Sequence, residues 1–360
     1  MWFPVDLPTP SEHFVLRTQT QQSNSPFTKG TLLPISWRTL DTNSNLSGTQ
    51  NGVPTTQTSY VKTIKRNTGL AFSPSSGLWF SALFNEDVTS LRSVPETGTY
   101  RVSGALEEFT VREVLARVGL EVNSSCTVGI ALRGQSIKGD ILGSFNMAPD
   151  ERTIYSGQRM GIAASTMLNW QQVRAAIRYE TPVTGKVSIG GESKVSSAPG
   201  YLGAAVDYAQ SAELHVRGEW GVWEFAKNEL GTPVPGPSKL RQGNILPLGL
   251  AVDARLLPVS VMGVGTRTAI GSSARLETDL VLGRLYYSND TDLLPPKSIG
   301  DSDKAKMYTL RLGIAFDKTD WESQLFIDYS TMKFSRTSNS NQLSNALVQW
   351  GVGLRAGIEI

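Results

Sequence analysis

The stretch ALVQWGVGLRAGIEI, residues 346–360, decides how this chain is read. Its even positions carry Ala346, Val348, Trp350, Val352, Leu354, Ala356, Ile358 and Ile360. Its odd positions carry Leu347, Gln349, Gly351, Gly353, Arg355, Gly357 and Glu359. A period of two marks a strand with one apolar and one polar face. The run is much longer than an ordinary strand of about 5–6 residues. It is long enough for a tilted strand to cross a hydrocarbon core, which takes about 9–11 residues.

The same rhythm recurs upstream. Leu310, Leu312 and Ile314 share a face with Tyr308 and Phe316, opposite Arg311. After the polar turn 317–320, Leu325 and Ile327 oppose Glu322, Gln324 and Asp328. Leu280 stands with Leu276 and Leu282, opposite Arg275, Glu277 and Asp279. Leu214 and Val216 oppose Glu213, His215, Arg217 and Glu219. Ile177 and Tyr179 oppose Arg174, Arg178 and Glu180. Val114, Val118 and Leu120 oppose Glu113, Arg117 and Glu121, and Val128, Ile130 and Leu132 oppose Arg133. Residues 107–118 and 167–177 also accommodate a helical spacing, but alternation onward to Val122 and Tyr179 favours strands.

Composition points the same way. Of 360 residues, 39% are hydrophobic, which is thin for a soluble core of this size. A barrel needs an apolar residue only at every second position. The most apolar stretch, 245–265, contains Pro247, Asp253, Arg255 and Pro258, so it does not make a membrane helix. A net charge of +2 without a basic block argues against nucleic acid. Cys126 is the only cysteine, which excludes an internal disulfide. The start, Met1-Trp2-Phe3-Pro4, has no basic and long apolar leader, so a mature form is expected, its signal peptide removed.

These observations together predict an all-β chain: a transmembrane antiparallel up-and-down barrel of about 14 strands, within 12–16. In lipid the backbone must satisfy its own hydrogen bonds, and a closed sheet does so without an edge. Residues 106–360 are expected to form the barrel. Residues 1–105 are expected to supply the first strands with long polar loops, or a partial plug. Short strand candidates there are 13–17, 32–39, 60–65 and 78–83. Short connections are expected near 123–125, 182–185, 270–272 and 318–319. Longer ones are expected over 196–210, 227–244, 289–303 and 336–342. Pro258 suggests a bulge or bend.

The closing run resembles the last strand of Gram-negative outer-membrane barrel proteins, although Ile360 stands where those usually carry an aromatic residue. The chain is also similar, in size and layout, to long-chain fatty-acid transporters, with fourteen strands and an N-terminal plug. That resemblance implies a porin-like outer-membrane location, contact with outer-membrane lipid and lipopolysaccharide, and passage of small, hydrophobic solutes. An alternative is a plugged barrel that anchors or caps an envelope assembly through a protein partner. The mixed charges of the polar faces read as ion pairs across a lumen, with a charged constriction that selects solutes as the alternative. A barrel-rim hydrolase ranks third. His13 and His215 are the only histidines, and no hydrolase motif accompanies them. No enzyme activity, cofactor or metal is expected.

Overall fold

A computed structural model describes residues 30–50, 53–75, 77–97, 102–145, 151–189, 191–198, 200–209, 214–224, 256–286, 304–318, 321–338 and 341–359. These residues are strands and short turns. The strands are β1 (Gly30–Gln50), β2 (Val53–Ser75), β3 (Leu78–Thr97), β4 (Val102–Asn123), β5 (Cys126–Phe145), β6 (Glu151–Trp170), β7 (Val173–Glu180) and β8 (Val183–Ile189). They continue as β9 (Glu192–Ala198), β10 (Gly200–Ala209), β11 (Leu214–Glu224), β12 (Leu256–Ala269), β13 (Ala274–Tyr286), β14 (Lys304–Lys318), β15 (Trp321–Ser338) and β16 (Asn341–Glu359).

Every pairing is antiparallel, and the pairings form a circuit. β1 pairs with β2 on one side and with β16 on the other, from Leu32–Glu359 to Thr49–Gln342. The remaining circuit passes through β15, β14, β13, β12, β11, β10, β7, β6, β5, β4 and β3. No sheet edge is left in that circuit, so its backbone groups are satisfied internally, as a bilayer demands. The chain is a closed transmembrane β-barrel.

Two of the strands are interrupted. β7 and β8 run one after the other along β6, first against Trp170–Ala163 and then against Met160–Tyr155. β9 and β10 run one after the other along β8 and β7. The sixteen segments therefore occupy fourteen wall positions. The first interruption falls at Thr181-Pro182, because proline cannot donate to a ladder. Thr181 bridges the gap: its N–H donates to the Ile162 carbonyl at 2.9 Å, and its Oγ1 accepts from the Ile162 N–H at 3.0 Å. The second lies at residue 199, a proline in the sequence.

The ends of the barrel differ. At the end where β1 begins and β16 finishes, the connections are 76–77, 124–125, 171–172, 210–213, 270–273 and 319–320. Gly77 adopts φ +85° in the first of these, a region that suits glycine. At the other end, connections reach 225–255 and 287–303. Short turns on the periplasmic side and longer loops outside are the usual arrangement of such barrels.

Several expected boundaries move. Pro182–Gly185 is not a hairpin turn but the join between β7 and β8, since the chain keeps its direction along β6. Residues 196–210 contain β10 rather than a loop; their Gly and Ala positions weaken the hydrophobic contrast that marks a strand. β15 runs to Ser338 and β16 starts at Asn341, shortening the connection expected at 336–342. Pro258 pairs with Val222 in an unshifted register, so no bulge forms there. The expected loops at 227–244 and 289–303 and the candidate at 13–17 lie outside the described residues. Residues 30–97 form barrel strands β1–β3, and β3–β4 pairing carries the same sheet past residue 105.

The outer surface is apolar along most of the wall. Val114, Val118, Leu120, Ile177, Val216, Leu280, Leu310, Leu312, Ile314, Leu325, Ile327, Trp350, Val352 and Leu354 are all exposed, and they alternate with inward residues. Leu214 is half-exposed. Ile358 is described only through its backbone, and Ile360 lies outside the described residues. An aqueous surface of this kind is unfavourable; in lipid it needs no cover.

Candidate functional site

The positions between those apolar residues face the barrel interior. Their side chains gather into two polar groups, each held by adjacent strands. The first lies on β3–β7. Arg133 of β5 is its centre: Nη1 meets Glu180 at 2.7 Å, while Nε and Nη2 meet Glu113 at 2.9 and 2.8 Å. Glu180 also accepts from Arg178 Nε at 2.5 Å. Gln135 donates to Glu113 at 3.1 Å and accepts from Arg159 Nη2 at 2.9 Å. Asn85 donates to the second oxygen of Glu113 at 3.3 Å. Arg133 and Glu180 are each only 2% exposed.

The second group lies on β1 and β12–β16. Asp328 takes Arg38 at 2.8 Å and Arg311 in a second, close contact. Glu277 takes Arg275 at 2.6 Å, Gln324 at 2.5 Å and Arg267 at 3.6 Å. Arg311 and Arg355 sit over the Phe326 ring, 4.6 and 4.9 Å from its centroid. Such contacts add attraction between a guanidinium and a ring face.

The strand period dictates these groups. Residues two apart lie on one face, and directly opposite residues on neighbouring strands come within reach. Asp328 is the register partner of both Arg311 and Gly351. A Cβ at residue 351 would meet Leu40 at 2.8 Å and Asp328 at 3.2 Å, so glycine there leaves room for the Arg38–Asp328 contact. Gly353 does the same for Phe326, whose ring lies 2.3 Å from where a Cβ would be. Gly119 lets the Trp79 ring lie on β4 at 1.9 Å from its absent Cβ position. Both rings thus lie along the wall over a neighbouring glycine.

Apolar patches flank the first polar group. Ile137, Val183 and Val187 are buried toward the long-loop end. Leu83, Leu115 and Ala131 pack together, with Ala163 beside them, toward the short-turn end. The inner wall of β3–β8 therefore reads apolar, polar, apolar along its height. Leu115 is 0% and Asp328 1% exposed, so these inward side chains are covered by their neighbours rather than by water.

Of the expected lumen residues, Glu113, Arg133, Arg178, Glu180, Glu277 and Asp328 are buried on the inner face. Arg117, Glu121, Arg174, Arg275, Asp279, Arg311 and Arg355 are half-buried on it. For His215, Arg217, Glu219 and Glu322 only the backbone is described, and Glu213 lies outside the described residues. Sequence reasoning missed Arg38, Arg159, Gln135 and Phe326. Arg38 could have been found beside Trp37, but the inward Leu40 blurs the alternation there. Arg159 sits between exposed Gln158 and Met160, so its strand has a partly polar outer face. Among the described residues, no group of three His, Cys, Asp or Glu is arranged to hold a metal.

No family model matches this chain, and no curated protein matches it. Solved structures do resemble it in fold. A FadL homologue from Pseudomonas aeruginosa superposes with a TM-score of 0.55 at 10% identity, over 95% of this chain and 94% of that one. A deltaS2 mutant of the monoaromatic hydrocarbon channel TodX gives 0.56 at 10% identity, over 93% and 92%. The toluene transporter TbuX of Ralstonia pickettii gives 0.52 at 10% identity, over 94% and 93%. The likeness spans nearly the whole of each chain, and what it establishes is the barrel fold.

Proposed function

We propose that the protein is a narrow, gated channel of the Gram-negative outer membrane for small hydrophobic or amphipathic solutes, and not an enzyme. The observation that carries this reading is the inner wall of β3–β8. Its apolar patches above and below an ion-paired band are packed shut, and side chains that part for a solute would offer it both dry contact and polar contact. Small-molecule sites have this mixed character. Fourteen strands enclose space for a passage, while the buried lining argues against a wide water-filled one. The fold shared with hydrocarbon and toluene channels supports the same class of cargo.

Uptake is the test. Cells lacking their own hydrophobic-solute channels, supplied with this protein, are expected to accumulate radiolabelled toluene and a medium-chain fatty acid faster than empty-vector cells. In planar bilayers the purified protein is expected to show no large steady conductance. Ohmic steps with passage of small sugars would make it a general diffusion pore. Absence of both uptake and conductance would favour a plugged anchoring barrel, for which the knitted Arg–Glu interior is the supporting feature.

A further inference from the structure

On the outer face, near the long-loop end, Lys306 of β14 stands directly opposite Lys333 of β15. Both are exposed. Directly opposite side chains on antiparallel strands have Cβ atoms about 4.5–5.5 Å apart, and like charges there repel. Arg284 of β13 is the next residue in the same row, paired with Lys306. The positions of that parity on β13–β16 include no Asp or Glu at all. An outer cationic group on β2–β4 is built differently: Glu86 lies between Arg66 and Arg112, at 3.0 and 2.8 Å.

Height along the strand gives the lysine pair its setting. Outward residues of β14 from Phe316 up to Tyr308 are exposed and apolar or aromatic, and Lys306 follows. Ten residues of strand cover about 34 Å, or roughly 25 Å of height at the usual tilt. That equals the lipid-facing band of such barrels. Tyr308, the next outward residue below Lys306, is an aromatic of the kind found at headgroup level. The two ammonium groups therefore sit at the rim of the bilayer, on the side of the long loops.

We propose that this rim of β13–β15 binds a phosphorylated glycolipid of the outer leaflet, with Lys306 and Lys333 holding one lipid A phosphate between them. A phosphate converts the repulsive pair into two charge-assisted contacts. The acyl chains of the same lipid then lie along Tyr308, Leu310 and Leu312, which are already exposed. Among the described residues of this face no carboxylate stands beside the pair, and a membrane phosphate supplies the anion. The inference rests on the outer-membrane location proposed above and not on the identity of the transported solute.

The test uses purified full-length protein in detergent, titrated with lipid A, with dephosphorylated lipid A, and with phosphatidylglycerol, read by native mass spectrometry. The unaltered protein is expected to retain lipid A and to lose the other two at equal concentration. The double variant K306Q/K333Q is expected to bind lipid A at least tenfold more weakly. The single variant Lys306→Glu supplies its own counter-ion, so it is expected to lose lipid A while melting at the same or a higher temperature in lipid-free detergent. Equal retention of lipid A by the variants and the unaltered protein overturns the proposal. So does equal binding of the dephosphorylated lipid. Solute uptake is expected to persist in both variants, so failure here leaves the channel reading standing on its own test.

Discussion

Arginine–glutamate contacts occur on both faces of this barrel wall, with the same chemistry in two different solvents. Inside, Arg133 bridges Glu113 and Glu180 with almost no exposed surface. Outside, Arg66 and Arg112 flank Glu86 while remaining 57% and 58% exposed. The distances are alike, so geometry does not distinguish the two sets. Solvation does. A buried ion pair has lost its water and depends on its partners; an exposed one keeps water as a substitute.

That contrast is sharpened first by Arg133→Ala. It takes a guanidinium from each of two buried carboxylates, leaving Glu180 on Arg178 and Glu113 on the neutral donors Gln135 and Asn85, and a loss of about 3–5 kcal/mol is expected from urea unfolding in lipid vesicles. A loss below about 1 kcal/mol would mean that the interior band is wet. The second test moves a charge to the opposite face. Leu312→Arg places a guanidinium amid exposed Leu310, Ile314 and Ile327, with an expected cost of about 2–4 kcal/mol at mid-bilayer. A near-neutral result would remove β14 from the lipid. The smallest effect is expected from Glu86→Gln, about 0.2–1 kcal/mol and diminishing with added salt. A larger, salt-independent loss would place the outer triad in hydrocarbon and erase the distinction.

The sequence was legible where one face met lipid and the other did not. On β4 and β13–β16 the alternation is nearly unbroken, and the strands fall where the period puts them. β1 is harder to read. Ile35 and Trp37 face outward and are followed on that face by exposed Asp41, Asn43 and Asn45. Beyond the apolar band both faces of a strand are polar, and a period of two then carries no contrast. The split at Thr181-Pro182 read as a turn for another reason. Proline and glycine mark a chain reversal in most contexts, and only the neighbour β6 shows that direction is kept. The polar interior was legible as a set of residues but not as a network. Which arginine meets which carboxylate depends on register, as with Arg133 and Glu180, which skip across β6.

The pairing of β1 with β16 has a consequence for how the molecule is made. Gln349 donates to Thr42 at 2.9 Å across 307 residues of chain. Contacts of such sequence separation form late and slowly. Until the final segment arrives, the partly built wall has two raw margins, each a row of open amides inviting a foreign strand. Synthesis and closure are thus separate events, because the first stave has no second neighbour until the last has been made.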